Sequence, residues 1–197
     1  HTYTPTNCFF EPMFDRNGAF IKYDTEEELL AVLQGDRLKP DLSEIFEQAM
    51  VVDAASHGWH FALDYMLQEM GYSPNDHDHK NYTPIGYAAM VGRTETVKKL
   101  LTGYDADPTM RNNAGRSMFD TTEWFEGYTA LELALEHEHY LTAFIILPHV
   151  DDDPGGDAFN ELLNLGNEPD IEYDDWPNHI LKKALTRGQY LAAREMM

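Results

Sequence analysis

A chain that repeats one spacing of small, turn-forming and apolar residues is constrained above all to stack copies of a single unit. Here Ala54-Ala55 is followed by Gly58, Leu63, Met66-Leu67, Gly71 and Pro74, and Ala88-Ala89 by Gly92, Val97, Leu100-Leu101, Asp105 and Pro108. The two sets agree at offsets +4, +9, +12, +13, +17 and +20 from the first alanine, and they lie 34 residues apart. A third copy runs from Ala134 through Glu138, Ala143, Ile146-Leu147, Asp151 and Pro154. A fourth, the most degraded, runs from Ala184 through Gly188 and Ala193 to Met196-Met197.

Each part of the spacing has a physical role. Paired alanines let two short helices approach closely. Glycine at +4 ends the first helix, because it adopts positive φ without a side-chain clash. Apolar residues at +9, +12 and +13 form one stripe of a second helix. Gly71, Asp105 and Asp151 stand where the chain leaves that helix, and Asp tolerates the left-handed region better than most residues. Pro74, Pro108 and Pro154 then block continuation. Such a unit cannot bury its apolar face alone, so neighbours must stack.

The stretch from Asp78 to Pro108 resembles the ankyrin repeat. Thr83-Pro84-Ile85 matches the T-P-L signature of that family, with Gly86 where His is usual and Asn81 where the hairpin Gly usually stands. Ala49-Met50-Val51, Thr129-Ala130-Leu131 and His179-Ile180-Leu181 occupy the corresponding positions of the other copies. The resemblance covers about residues 42 to 197. It implies an all-α ankyrin-repeat solenoid of about four helix–turn–helix repeats, near 42–75, 76–109, 122–154 and 174–197, within a domain spanning 41–197.

Insertions are expected near 110–127 and 155–173. Repeats two and three are offset by 46 residues rather than 34, and the extra 12 follow a hairpin-like tip at Asn112 to Ser117. A second such tip, Glu126 to Thr129, comes after Met118 to Phe125. Repeats three and four are offset by 50, which adds about 16 residues; within them Ala158 to Leu165 has helical spacing. Residues 1–40 lack the repeat. Thr25 followed by Glu28 predicts a capping box opening a helix from Glu26 to Gln34, with Gly35 at its end. Together with Phe9, Phe10, Phe14 and Phe20, this segment is expected to cap the array, since solenoids must cover their terminal apolar faces.

Charge narrows the class of partner. The chain carries 35 acidic and 14 basic residues, a net charge of −21. Residues 151–178 alone hold ten acids and no Lys or Arg. Direct nucleic-acid binding needs Lys and Arg against phosphate and is not expected. An anionic membrane would repel the chain, and no apolar run reaches the ~18 residues of a spanning helix. A basic protein would be steered toward it. The lone Cys8 fits a reducing compartment, so a cytoplasmic location is expected, or a host cytosol for a secreted effector. His1 to Asn7 do not resemble a signal peptide. The missing initiator Met fits a processed or shortened chain, and an end where a second helix should continue fits a longer natural protein.

Chemistry-bearing clusters are weak. His77-Asp78-His79 and His137-Glu138-His139 could ligate a metal, but helical residues two apart diverge, so no cofactor or metal is expected. Asp151 to Asp157 lacks the Glu that a calcium loop needs at its twelfth position, where Leu162 stands. No phosphate loop, nucleophile elbow or zinc-protease motif occurs.

The family resemblance implies docking on the concave face, from hairpin tips and the exposed side of each first helix. Those positions are Ser56 and His57 in repeat one, then His79, Lys80, Tyr82, Met90 and Val91 in repeat two. Repeat three supplies Phe125, Glu126, Tyr128, Glu136 and His137, with Trp124 beside them. Repeat four supplies Asp175, Trp176, Asn178, Thr186 and Arg187. Aromatics, Met and Arg favour interface centres, so Trp124, Trp176, Tyr82 and Tyr128 are the expected anchors. The expected function is binding of another, basic protein through the concave face and the insertions, as a bacterial effector, immunity protein or viral inhibitor would do. Mimicry of nucleic acid by the acidic surface is the competing reading. An enzyme with its site in the insertions is the least favoured.

Overall fold

The computed structural model describes residues 13–14, 20–21, 23–35, 44–78, 81–112 and 127–150, with positions 180, 182, 184, 189, 193, 194, 196 and 197. Capping opens the first helix, α1 (Glu26–Gln34), where the sequence predicts it. The Thr25 hydroxyl accepts from the Glu28 N–H at 3.3 Å, while the Glu28 carboxylate accepts from the Asp24 N–H at 2.7 Å. Ahead of it, β1 (Met13–Phe14) and β2 (Phe20–Ile21) pair antiparallel, with Met13 opposite Ile21, a feature the sequence reading lacked.

Helices then come in pairs. The first members are α2 (Glu44–His57), α4 (Pro84–Met90) and α6 (Ala130–Glu136). The second members are α3 (His60–Asp64), which runs on through a π-helical turn at Tyr65–Glu69, α5 (Thr94–Tyr104) and α7 (Tyr140–Ile146). First members pack side by side, α2 on α4 and α4 on α6; each second member packs on its own first member, and α5 on α7. The result is a two-layer all-α stack.

One hydrogen-bonded turn generates it. The N–H at offset +5 donates to the carbonyl of the first alanine: Trp59 to Ala54, Arg93 to Ala88, His139 to Ala134 and Gln189 to Ala184, at 2.7 to 2.9 Å. The N–H at +4 donates one residue further on: Gly58 to Ala55, Gly92 to Ala89 and Glu138 to Leu135. This is the Schellman pairing, which needs a left-handed residue at +4. Gly58, Gly92 and Glu138 have φ of 75°, 72° and 61°. Asp105 (φ 53°), Gly71 (φ 74°) and Asn81 (φ 59°) are left-handed as their residue types predict. Beyond the third repeat, where the sequence pattern is degraded, the +5 bond recurs, and Ala193 donates to the Gln189 carbonyl as Leu63, Val97 and Ala143 do to the carbonyls of Trp59, Arg93 and His139.

The core lies between the layers. Met50, Val51, Ile85 and Leu131 from the signature triplets are fully buried, as are Ile180, Ala184 and Ala193 of the last repeat. Leu29 and Leu33 of α1 join the same core. The Glu26 carboxylate accepts from the N–H groups of Phe61 and Ala62, at 2.7 and 3.0 Å, filling the orphan donors that open α3. The side chains of Phe9, Phe10, Phe14 and Phe20, most of the segment between repeats two and three, and the acidic segment with its predicted helix at Ala158 to Leu165 lie outside the described residues.

Candidate functional site

The first-member helices α2, α4 and α6, here called the inner helices, end in a row of equivalent residues, at offsets +2 and +3, to which the family resemblance assigns partner contact. In repeat one, Ser56 is buried, with its hydroxyl donating to the Asp53 carbonyl at 2.8 Å, so it is a packing residue rather than a surface contact. His57 is half-buried and stacks on Trp59, ring centroids 4.4 Å apart. Its Nδ1 lies 2.9 Å from the Asp53 carbonyl oxygen and 3.2 Å from the Asp53 carboxylate. The hydrogen bond with Asp53 raises its pKa above the ordinary 6.5, against the opposing effect of burial. Met90 and Val91 are half-buried at the end of α4, and Glu136 and His137 are exposed at the end of α6.

Hairpin residues stand beside this row. Tyr82 is half-buried and meets the ring of buried Tyr87 edge-on at 5.3 Å. Tyr128 is half-buried too. Both are clamped by the same hydrogen bonds. The Tyr82 N–H donates to the Asp78 carboxylate at 2.9 Å and the Asp78 N–H to the Tyr82 carbonyl at 3.1 Å. In repeat three the Tyr128 N–H donates to the Asn112 side-chain oxygen at 2.9 Å and the Asn112 N–H to the Tyr128 carbonyl at 3.0 Å. His79, Lys80, Trp124, Phe125, Glu126, Asp175, Trp176, Asn178, Thr186 and Arg187 lie outside the described residues.

Three features escaped the sequence reading. At offset +5 the side chains reach back to the preceding repeat: Arg93 Nε donates to the Ser56 carbonyl at 2.9 Å, and Gln189 Nε2 to the Glu138 carbonyl at 2.8 Å. His139 hydrogen-bonds the Met90 backbone, yet burial lowers its pKa, with His137 adding a repulsive charge. Second, Glu132 stands at the fourth signature position, where Gly86 stands in repeat two. It is 2% exposed, accepts from the Thr129 N–H at 2.7 Å and pairs with Arg111 at 3.2 Å. Third, Asp64, Lys99, Tyr104 and Gln68 form a cluster linking α3 to α5. Burial and the neighbouring Asp64 push the Tyr104 phenol up to about 12. A signal existed for the second: T-A-L-E aligns with the family's T-P-L-H.

The cluster of Asp53, Ser56 and His57 contains the residue types of a hydrolytic triad but not its geometry. Ser56 Oγ, at 3.1 Å, and Asp53 both meet the same nitrogen, Nδ1. A proton relay needs the nucleophile and the orienting carboxylate on opposite ring nitrogens of the histidine. No group of three or more His, Cys, Asp or Glu among the described residues could hold a metal ion. No helix among them is long and apolar enough to cross a membrane.

The family model described as "Ankyrin repeats (3 copies)" matches residues 51–156. The chain belongs to the ankyrin-repeat family, whose members are typically binding modules rather than enzymes. No curated protein matches it. Among solved structures it is similar to a chain of the Bdellovibrio bacteriovorus complex described as "Bd0816 Predatory Endopeptidase from Bdellovibrio bacteriovorus in complex with immunity protein Bd3460". Identity is 24% and the TM-score 0.46, covering 68% of this chain and 62% of that one. The match thus spans less than two thirds of that chain's length.

Proposed function

We propose that this chain binds a basic protein on the face formed by its inner-helix ends and hairpins. The observation that carries the reading is the row His57, Met90-Val91 and Glu136-His137, held at equivalent positions by turns bonded in the same way. A side-chain row on a turn-locked scaffold loses little conformational entropy on binding. Tyr82, Met90 and Val91 offer apolar contact, and the net charge of −21 attracts a cationic partner over distance. Tyr128, and by family register His79, Lys80, Trp124, Phe125, Glu126, Asp175, Trp176, Asn178, Thr186 and Arg187, belong to the same proposed surface.

Capture from the native host, followed by affinity measurement with the purified partner at increasing salt, tests this reading. A basic partner whose affinity falls as salt rises supports it, because screening shortens the attraction. A partner of acidic or neutral surface with salt-independent affinity overturns the electrostatic part. Where the captured protein binds nucleic acid, competition between this chain and DNA would favour nucleic-acid mimicry, the reading that the ten acids of residues 151–178 motivate.

A further inference from the structure

We infer that residues 113–126 are a graft on the tip of the repeat-three hairpin, and that the array folds without them. The two hairpins are closed by the same bonds. In repeat two the clamp of Asp78 on Tyr82 encloses three residues; in repeat three the clamp of Asn112 on Tyr128 encloses fifteen. The difference, 12, is the excess of the 46-residue offset over 34. The whole insertion therefore falls between two points that repeat two already holds together.

The base of the graft carries further bonds. Arg111 Nη1 donates to the Gly127 carbonyl at 2.6 Å and to the buried Glu132 carboxylate at 3.2 Å. Glu132 in turn caps α6 through Thr129. Gly127 packs so closely on Asn112 that any Cβ would overlap the Asn112 carbonyl. The array thus fixes both ends of the loop through described residues of its own. Closing a longer loop across fixed ends costs only logarithmically more entropy, so length inside the clamp bears little on folding. This inference stands whether or not the partner is basic.

The test is thermal unfolding followed by circular dichroism. In one variant, residues 113–126 are replaced by His-Lys, the pair that separates Asp78 from Asn81. In a second, a Gly-Ser stretch is inserted between Ala114 and Gly115 of the intact chain. Both are expected to unfold cooperatively with Tm within about 4 °C of the parent, the shift that about 1 kcal/mol produces in a chain this size. A third variant, Gly127→Ala, is expected to lower Tm by more than either. Loss of the cooperative transition in either length variant would overturn the inference. So would a Gly127→Ala chain as stable as the parent, since the base would then not be what holds the loop.

Discussion

At the residue scale, the most informative side chains are those whose chemistry is set by a neighbouring repeat. Glu132 is a buried carboxylate with two partners, the Thr129 N–H and Arg111. Arg111 is 40% exposed and is solvated when its partner is removed, so Glu132→Ala is expected to lower unfolding free energy by about 2 kcal/mol in urea titration, the worth of hydrogen bonds to a charged group. Glu132→Gln, which keeps an acceptor for Thr129, should lose less than half of it. The two glycines Gly71 and Gly92 separate backbone strain from packing. Both are left-handed, and alanine there costs about 1–2 kcal/mol. Nothing lies near a Cβ on Gly71, whereas one on Gly92 would stand 2.6 Å from His139 Nδ1. Gly92→Ala is therefore expected to destabilise clearly more than Gly71→Ala, because it also dislodges the His139 ring from the turn of repeat two.

The two turn histidines should respond to pH in opposite directions. The pKa of His57 is raised by Asp53, so its stabilising contribution is complete below 6.5 and fades as pH climbs through its folded value. The pKa of His139 is lowered by burial, so its contribution is complete above 6.5 and is lost as pH falls toward its folded value. The deficit of His57→Gln relative to the parent should be larger at pH 5.5 than at pH 8. That of His139→Gln should be larger at pH 8. Urea midpoints at both values check the signs, and deficits that do not move with pH would refute the assignment of either ring.

At the scale of elements, the helix–turn–helix unit was legible because its turn demands particular residues. Glycine at +4 in the first two repeats, and Asn81 and Asp105 elsewhere, announce left-handed backbone by type alone. Glu138 does not. Its left-handed φ follows only from register, because Ala134 places it at +4. The bonds at +5 were not legible from one chain, since Trp59, Arg93, His139 and Gln189 share no chemistry beyond reaching their neighbours. The short β1–β2 pairing was missed for another reason: two-residue strands carry too little alternation to read. At the start of the array, α1 was read to its residue boundaries from Thr25 and Glu28, but its tie to α3 through Glu26 was not. Glu26→Ala removes the acceptor for two opening N–H groups of α3, a loss of about 1 kcal/mol by analogy with cap deletions. A Tm lower by several degrees is expected, while Glu27→Ala on the same helix, exposed, should leave Tm unchanged.

At the scale of the whole molecule, the account rests on a rigid stack with a strongly negative surface. Rigidity comes from nearest-neighbour interfaces: α2 on α4, α4 on α6, and the links from Arg93 to Ser56 and from Gln189 to Glu138. The fold was visible in the alanine spacing, whereas the binding face was visible only as a set of register positions. The structure separates those positions, burying Ser56, half-burying Met90 and Val91, and exposing Glu136 and His137. Residue type could not make that separation, because burial at +2 and +3 depends on the neighbouring repeat. The central claim is that this face receives a basic protein, and its most direct measurement is affinity for the purified host partner by calorimetry. The double variant Tyr82→Asp with Met90→Asp, first shown by circular dichroism to keep its helices, is compared with the parent chain. The account predicts a loss of affinity of at least about tenfold, equivalent to about 1.4 kcal/mol. Unchanged affinity in the folded double variant would contradict it.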